Sequence, residues 1–352
     1  MKKWHVVYVD AKNQARKTVM MRAAAVATIV VSLTAALNAI AAQAPARQPQ
    51  GGEQTYPSRP IRYIVPQAPG GSSDTLARAL VQRLGDSLGQ QVVVDNRPGA
   101  TGIIGAEIAA RANPDGYTVI QVATSHATNP AMQARLPFDA ARDFAPIALL
   151  SQQPNLWIVH PSLPVKSIKE LIAYAKSKPG QLNFASSGTG GSQHLAGELL
   201  KAMTGIEMVH IPYKGSPPAL TDLLGGRVLL MSSTMPPALP HIKTGRVRVL
   251  AVTSAKRSPA LPEAPTVAEA GVPGYEAIAW QGLLAPAGAP RTIITRLNGE
   301  LLKILSQSDV RNKLTELGYE TIGSSPEEFT MYIKTEITKW AKGIKSVGIR
   351  AD

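Results

Sequence analysis

Residues 61–88 read IRYIV-PQAPGGSS-DTLARALVQRLGDSL. The first five are a β-rich apolar run, short enough for one buried strand. Residues 66–73 hold two prolines, two glycines and two serines, which is turn chemistry. From Thr75, Leu76, Leu80 and Leu84 recur every four residues with Ala77 and Val81 beside them, the stripe of an amphipathic helix over residues 75–88. Strand, glycine-rich turn, helix is the phrase that the rest of the chain repeats.

Further strands are predicted at residues 91–94, 117–122, 182–185, 208–211, 228–231, 247–253 and 278–284. Two short ones, 147–150 and 156–159, suit a crossing between domains. Helices are expected at 103–110, 168–177, 194–203, 218–224, 292–305, 309–317 and 327–345; that at 168 opens on Ser167 and stops before Pro179 and Gly180. Short strands alternating with longer helices predict an α/β fold with mostly parallel sheets flanked by helices. A single barrel is the competing architecture, and the irregular beat and purely helical ending argue against it.

The chain has 352 residues, 44% apolar and 17% charged, so a sizeable core is available. It has no cysteine, which excludes disulfides, thiolate catalysis and cysteine-ligated metal sites. The net charge of +13 invites a nucleic-acid reading until the N-terminus is considered. Lys12, Arg16, Lys17 and Arg22 precede an uncharged run at residues 23–37, and Ala42-Gln-Ala44 and Ala44-Pro-Ala46 follow as small-residue cleavage sites. That is the secretory pattern, so residues 1–44 are expected to be a signal peptide cleaved near Ala44 or Ala46 and the protein to be periplasmic. A retained membrane anchor is the competing reading, and Met20 or Met21 is an alternative start. Cleavage after Ala44 leaves 308 residues, removes six basic residues and one acid, and lowers the charge to +8. Residues 45–55 read as a flexible leader. The remaining Lys and Arg are scattered without interleaved aromatics, so no nucleic-acid partner is expected.

Three turns join a strand end to a helix start: Pro69-Gly70-Gly71-Ser72-Ser73-Asp74, Ser186-Ser187-Gly188-Thr189-Gly190-Gly191-Ser192, and Tyr213-Lys214-Gly215-Ser216-Pro217. In the third, Ser216 suits an N-cap and Pro217 the first helical position. Each offers backbone N–H groups and hydroxyls to an anion, or serves only as a cap and turn. Thr124-Ser125-His126 is a fourth such place. Asp74 serves either the helix dipole or an ammonium on a ligand. Trp280 with Gln281 is either pocket wall or core. Gly188-Thr189-Gly190 begins like a dinucleotide loop, but Gln193 stands where its third glycine belongs. Ser187 or Ser192 with His194 lacks an orienting acid, so no catalytic residue is assigned and no enzyme, metal or cofactor is expected.

Several stretches, taken together and in order, resemble the extracytoplasmic receptors of tripartite tricarboxylate transporters, the TctC or Bug family. They are Tyr56-Pro-Ser-Arg-Pro-Ile61, Pro69-Gly-Gly-x-x-Asp74, Asp95-Asn-Arg-Pro-Gly-Ala100, Pro114-Asp-Gly-Tyr117, Asp143-Phe-Ala-Pro146, Ala185-Ser-Ser-Gly188, His194-Leu-Ala-Gly-Glu198, Pro212-Tyr-Lys-Gly215, Leu223-Leu-Gly-Gly226 and Ala251-Val-Thr-Ser254. The resemblance spans Tyr56 to about Ile349. It implies a two-lobe, type II-like periplasmic binding protein, with residues 56–155 and 279–352 in one lobe, 156–278 in the other, and a ligand cleft between them. It also implies a carboxylate held by Pro69, Gly70, Gly71, Ser72, Ser73 and Asp74 on the first lobe and by Ser187, Gly188, Tyr213, Lys214 and Gly215 on the second. Ser125 and Asn129 are weaker carry-overs. Segment 231–236, Met-Ser-Ser-Thr-Met-Pro, departs from the family's usual Phe-Asp-Asn-like sequence, which leaves contacts on that side open. The implied partners of this monomer are a small organic acid or amino acid and one large and one small integral membrane subunit. An ABC-type or sensory receptor and a secreted α/β enzyme are the alternatives.

Overall fold

The structure is a computed structural model that describes residues 56–347. The expected signal peptide, leader and cleavage sites lie outside the described residues. Strand β1 (Ile61–Val65) leads into helix α1 (Ser72–Leu88), then β2 (Val92–Asn96), α2 (Ile103–Ala110), β3 (Thr118–Ala123) and α3 (Ser125–Met132). Strand β4 (Phe144–Val159) carries the chain into a second set of elements. These are α4 (Ile168–Ser177), β5 (Leu182–Ser186), α5 (Ser192–Thr204), β6 (Met208–Pro212), α6 (Ser216–Leu224), β7 (Leu230–Thr234), α7 (Met235–Lys243) and β8 (Arg248–Val252). Strand β9 (Ile278–Pro286) returns, and α8 (Arg291–Ser306), α9 (Ser308–Glu316), β10 (Glu320–Thr321) and α10 (Pro326–Val347) follow.

The strands run in the order β2-β1-β3-β9-β4-β7-β5-β6, with β8 and β10 also paired to β4. The outer pairs of each half are parallel: β1 with β2 and β3, and β5 with β6 and β7. The centre is antiparallel, β9 pairing with β3 and β4, and β4 with β7 and β8. The sheet is therefore mixed, with its parallel character confined to the two wings. The expected short strands at 147–150 and 156–159 are one strand of 16 residues. The polar stretch Ser151-Gln-Gln-Pro-Asn155 between them looks like a loop in sequence. It is extended because β9 covers residues 144–154 and β7 takes over from Asn155, Pro154 standing at the changeover.

The inner strands of each half are buried on both faces, which is why they read as unbroken apolar runs, whereas the edge strands β2 and β6 stay partly exposed. Ile61, Tyr63 and Val65 pack with Leu76, Leu80 and Leu84 of α1 and Leu297 and Leu301 of α8. Ile64 points the other way, into a cluster with Ile120, Trp280 and Phe329. Alternation along β4 does the same in the second half: Trp157 and Val159 join Phe184 and Leu200, while Leu156 and Ile158 join Met231 and Val252. Each fully buried aliphatic side chain contributes roughly 1.5–3 kcal/mol.

Three helices begin earlier than the apolar stripe suggests, α1 at Ser72, α5 at Ser192 and α6 at Ser216, each with glycine as N-cap. Ser216 and Pro217 are thus the first two helical residues, not cap and first residue. Helices α3 and α7 were not legible, because each contains a proline (Pro130, Pro240) and α3 starts with polar residues.

His126 on α3 is 4% exposed, stacked on Phe138 and edge-on to Phe144, with Nε2 2.8 Å from the Ala140 carbonyl. Burial pushes its pKa down to about 4, and that of His210 to about 3 with help from the neighbouring His194 and Lys201 charges. Both are neutral in the folded protein, whereas an unfolded chain protonates histidine near 6.5. Stability is therefore complete above about pH 6.5 and falls as the pH drops toward 4, by about 1.4 kcal/mol per pH unit per histidine. Urea unfolding of wild type and His126→Gln at pH 7, 6 and 5 should show a shallower loss in the variant; equal slopes would mean that His126 does not take up its proton on unfolding.

Candidate functional site

A cavity of about 230 Å³ lies between the two halves of the sheet. That is below the ~300–1,000 Å³ of pockets for drug-sized molecules, so its occupant must be small. Six helices begin at its wall. Ser72 opens α1, Gly102 precedes α2, and Thr124 and Ser125 start α3; across the cavity, Gly191 and Ser192 start α5, Gly215 and Ser216 start α6, and Thr234 precedes α7. None of the six has a side-chain cap, unlike α4, where the Ser167 hydroxyl accepts from Glu170 N–H. First-turn N–H groups have no intrahelical partner, and each helix start carries about half a positive charge. Lys214, exposed at the rim, is the only charged residue among those lining the cavity. The helix starts favour an anion, and no carboxylate lines the cavity, Asp74 in the first turn of α1 being paired with Arg78.

Two glycines let the halves meet. Gly188 has φ of +142°, and a Cβ there would lie 3.2 Å from Thr101 Oγ1 and 3.3 Å from the Tyr213 carbonyl. Gly215 has φ of +117°, and its Cβ would lie 3.0 Å from Ala68 Cβ. Thr101 and Ala68 belong to the opposite wing, so side chains at either glycine would push the loops apart. Nearby, the Thr128 hydroxyl donates to the Gly190 carbonyl at 2.7 Å across the same divide.

The loops are fixed by side-chain amides. Gln193 Oε1 accepts from Ser187 N–H at 2.7 Å while its Nε2 donates to Ser216 Oγ at 2.9 Å. Gly215 N–H donates to the Ser187 carbonyl at 3.0 Å. On the first half, Gln121 accepts from Tyr63 OH and donates to the Ser73 carbonyl and to Gln281 Oε1, and Gln281 Nε2 donates to Ser72 Oγ at 3.0 Å. Tyr319 OH donates to the Ser72 carbonyl at 2.6 Å. Ser72 is thus held from β9 and the C-terminal segment, and Ser73 from β3.

Of the fourteen residues offered as ligand contacts, eight line the cavity: Ser72, Ser125, Ser187, Gly188, Tyr213, Lys214, Gly215 and Trp280. Pro69, Gly70, Gly71, Ser73, Asp74 and Asn129 do not. Pro69 and Gly70 are exposed. Gly71 is the α1 N-cap, and the Ser73 carbonyl is taken by Gln121. Asn129 Nδ2 donates to the Thr101 carbonyl at 3.4 Å. Asp74 accepts from Gly70 N–H at 2.9 Å, Arg78 Nε at 2.9 Å and Asn96 Nδ2 at 3.0 Å. Burial would raise its pKa, but these hydrogen bonds outweigh it and hold the carboxyl below its ordinary range. It holds the turn rather than facing a ligand ammonium. The Trp280 ring is core, edge-on to Phe329 and Tyr332 with its N–H donated to Glu336. Tyr213 OH donates to Asp222 at 2.8 Å, and burial and that contact push its pKa up to about 12.

Sequence reasoning missed Thr101, Gln153, Gln193 and Thr234 as contacts, all of which line the cavity, as does Thr124 of the fourth candidate turn. Gln153 sits in the stretch that reads as a loop, and Thr234 ends β7 in the segment that departs from the family pattern. As for a nucleophile, it is Ser186 that meets a histidine, its Oγ 2.6 Å from His210 Nε2. That hydroxyl is buried, donates to the Gly188 carbonyl at 3.2 Å, and is not among the lining residues. His194 accepts from Gly190 N–H and stacks on His210 at 3.9 Å. No helix of the described residues is long and apolar enough to cross a membrane.

The family model described as tripartite tricarboxylate transporter family receptor matches residues 76–349. Protein BugT of Bordetella pertussis is 38% identical over 298 residues, covering 84% of this chain and 91% of that one. Among solved structures, Rpa4515 of R. palustris with adipate is 42% identical with a TM-score of 0.82, covering 84% of this chain and 99% of that one. MatC from Rhodopseudomonas palustris with bound malate is 33% identical with a TM-score of 0.77, covering 82% and 99%. With this fold, this cavity and these relatives, the chain belongs to the tripartite tricarboxylate transporter receptor family, the TctC or Bug group of periplasmic solute-binding proteins.

Proposed function

We propose that this protein is an exported receptor that captures a small organic acid and delivers it to the large and small integral membrane subunits of a tripartite transporter, without transforming it chemically. The observation that carries this reading is the meeting of six uncapped helix starts at one cavity that contains no acidic side chain. A carboxylate satisfies both the open N–H groups and the partial charges of the helix starts. An α-ammonium group would find no counter-charge, since Asp74 is committed to the turn. The adipate and malate in the related structures are consistent with an acid of this size.

In this reading residues 1–44 are the cleaved signal peptide, and residues 56–155 with 279–352 form one lobe and 156–278 the other. The lobes hinge about the two central strands, and the ligand stabilises the closed arrangement in which Thr101 meets Gly188 and Thr128 meets Gly190. The membrane subunits then recognise the closed protein.

Native mass spectrometry of the protein purified without refolding should show a bound acid. Saturation with a matching di- or tricarboxylate should raise the melting temperature by several degrees, since ligand at about 100 times Kd adds about 2.7 kcal/mol. If no small molecule co-purifies and no acid shifts melting, the proposal fails. Gly188→Val should weaken binding by about tenfold or more, the scale of one lost 1.4 kcal/mol contribution. Small-angle scattering of that variant should no longer show contraction on ligand addition, and undiminished affinity and contraction would remove this contact from closure.

A further inference from the structure

One face of the central strands carries buried polar atoms that nothing among the described residues satisfies. Ser151 Oγ, both amide atoms of Gln153, Asn155 Nδ2, Ser232 Oγ and Thr234 Oγ1 are buried and without a hydrogen-bond partner among the described residues. Ser151, Gln153 and Asn155 follow one another at two-residue spacing on β4, and Asn155 lies opposite Thr234 on β7, two residues beyond Ser232. That spacing puts them on one side of the sheet. The side is the cavity's: Gln153 and Thr234 line it, and Asn155 Oδ1 accepts from Ser192 Oγ at 3.2 Å, Ser192 being another lining residue. Gln153 is 1% exposed and Thr234 4%.

Buried polar groups left unpaired weaken a fold, and a core position of this kind is better served by leucine or valine. Unpaired groups gathered at a cavity floor are the mark of a site that a ligand completes. The floor differs from the helix starts around it. Gln153 and Thr234 bring amide and hydroxyl groups that donate and accept, with no formal charge. They can donate to an oxygen, whereas an ammonium would meet acceptors but no carboxylate to balance its charge, and a bare methyl would leave them unpaired.

We propose that Gln153 and Thr234 are specificity-determining residues that read a second oxygen function on the ligand, remote from the carboxylate held at the helix starts. The inference rests on the carboxylate reading above and adds to it. The ligand is a bifunctional acid whose far end is a carboxylate or a hydroxyl, not an ammonium or an alkyl group.

The test uses calorimetric titration with acids that share one chain and differ at the far end: adipate, 6-hydroxyhexanoate, hexanoate and 6-aminohexanoate, with the four-carbon set in parallel. Wild type should bind an oxygen-terminated member at least about tenfold more tightly than the alkyl or ammonium member of the same length, and the adipate and hydroxyl arms separate the two oxygen sources. Gln153→Leu and Thr234→Val should each remove about tenfold of that preference, read as the ratio of the dissociation constants of the alkyl and oxygen-terminated acids. Their ligand-free melting temperature should stay level or rise, because each change replaces an unpaired polar group by an apolar one of similar shape; a purely structural role would lower it. Alkyl and oxygen-terminated acids binding alike, or variants binding every acid as wild type does, would overturn this proposal and leave the carboxylate reading standing. If no acid binds wild type, both fall together.

Discussion

The pairing of β4 with β9 is the constraint on which the rest of the molecule depends. Strand β9 returns the chain from the second half and lies between β3 and β4, so the first wing hangs from one edge of the pair and the second from the other. Because β4 runs on past Pro154 to meet β7 and β8, the two wings share a backbone without sharing a core. Besides these strands the wings touch at the loops, where Gly188 and Gly215 face Thr101 and Ala68 and Thr128 donates to the Gly190 carbonyl, and the cavity lies between them.

The electrostatics follow from the topology. In each wing the parallel strands β1, β2, β3, β5, β6 and β7 all feed a loop that opens a helix at the same edge of the sheet. Facing the two edges toward one another brings six helix starts together. Their N–H groups can then recognise an anion with no arginine in the cavity. Glycine serves this arrangement at the contacts where the loops of opposite wings approach, and the amides of Gln121, Gln193 and Gln281 stiffen the loops from behind. The groups of Gln153 and Thr234 stand apart from this scaffold because no partner among the described residues satisfies them.

Much of the α/β pattern was legible from the chain, for physical reasons. A helix packed on a sheet repeats its apolar residues every three or four positions, as Leu76, Leu80 and Leu84 do, and a doubly covered strand is apolar throughout, as Ile61–Val65 is. The continuity of β4 was not legible, because Ser151-Gln-Gln-Pro-Asn155 has the composition of a loop. Only the flanking strands, distant in sequence, make it extended. Helices α3 and α7 were hidden by the prolines inside them.

The same division runs through the site. Local sequence determined where turns meet helix starts, since Gly, Ser and Pro act through their own backbone geometry, and so Ser72, Ser187, Gly188 and Gly215 were visible in advance. Which way a side chain faces is another matter. Asp74 turned to its own loop because Gly70, Arg78 and Asn96 surround it, and Trp280 turned to the core because Glu336 and two aromatic rings await it. Gln153 and Thr234 became part of the cavity only when strands far apart in the chain were laid side by side. Tertiary structure alone decided these cases, because the partners that orient or orphan a buried polar atom come from other parts of the chain, and spacing along the sequence carries no record of them.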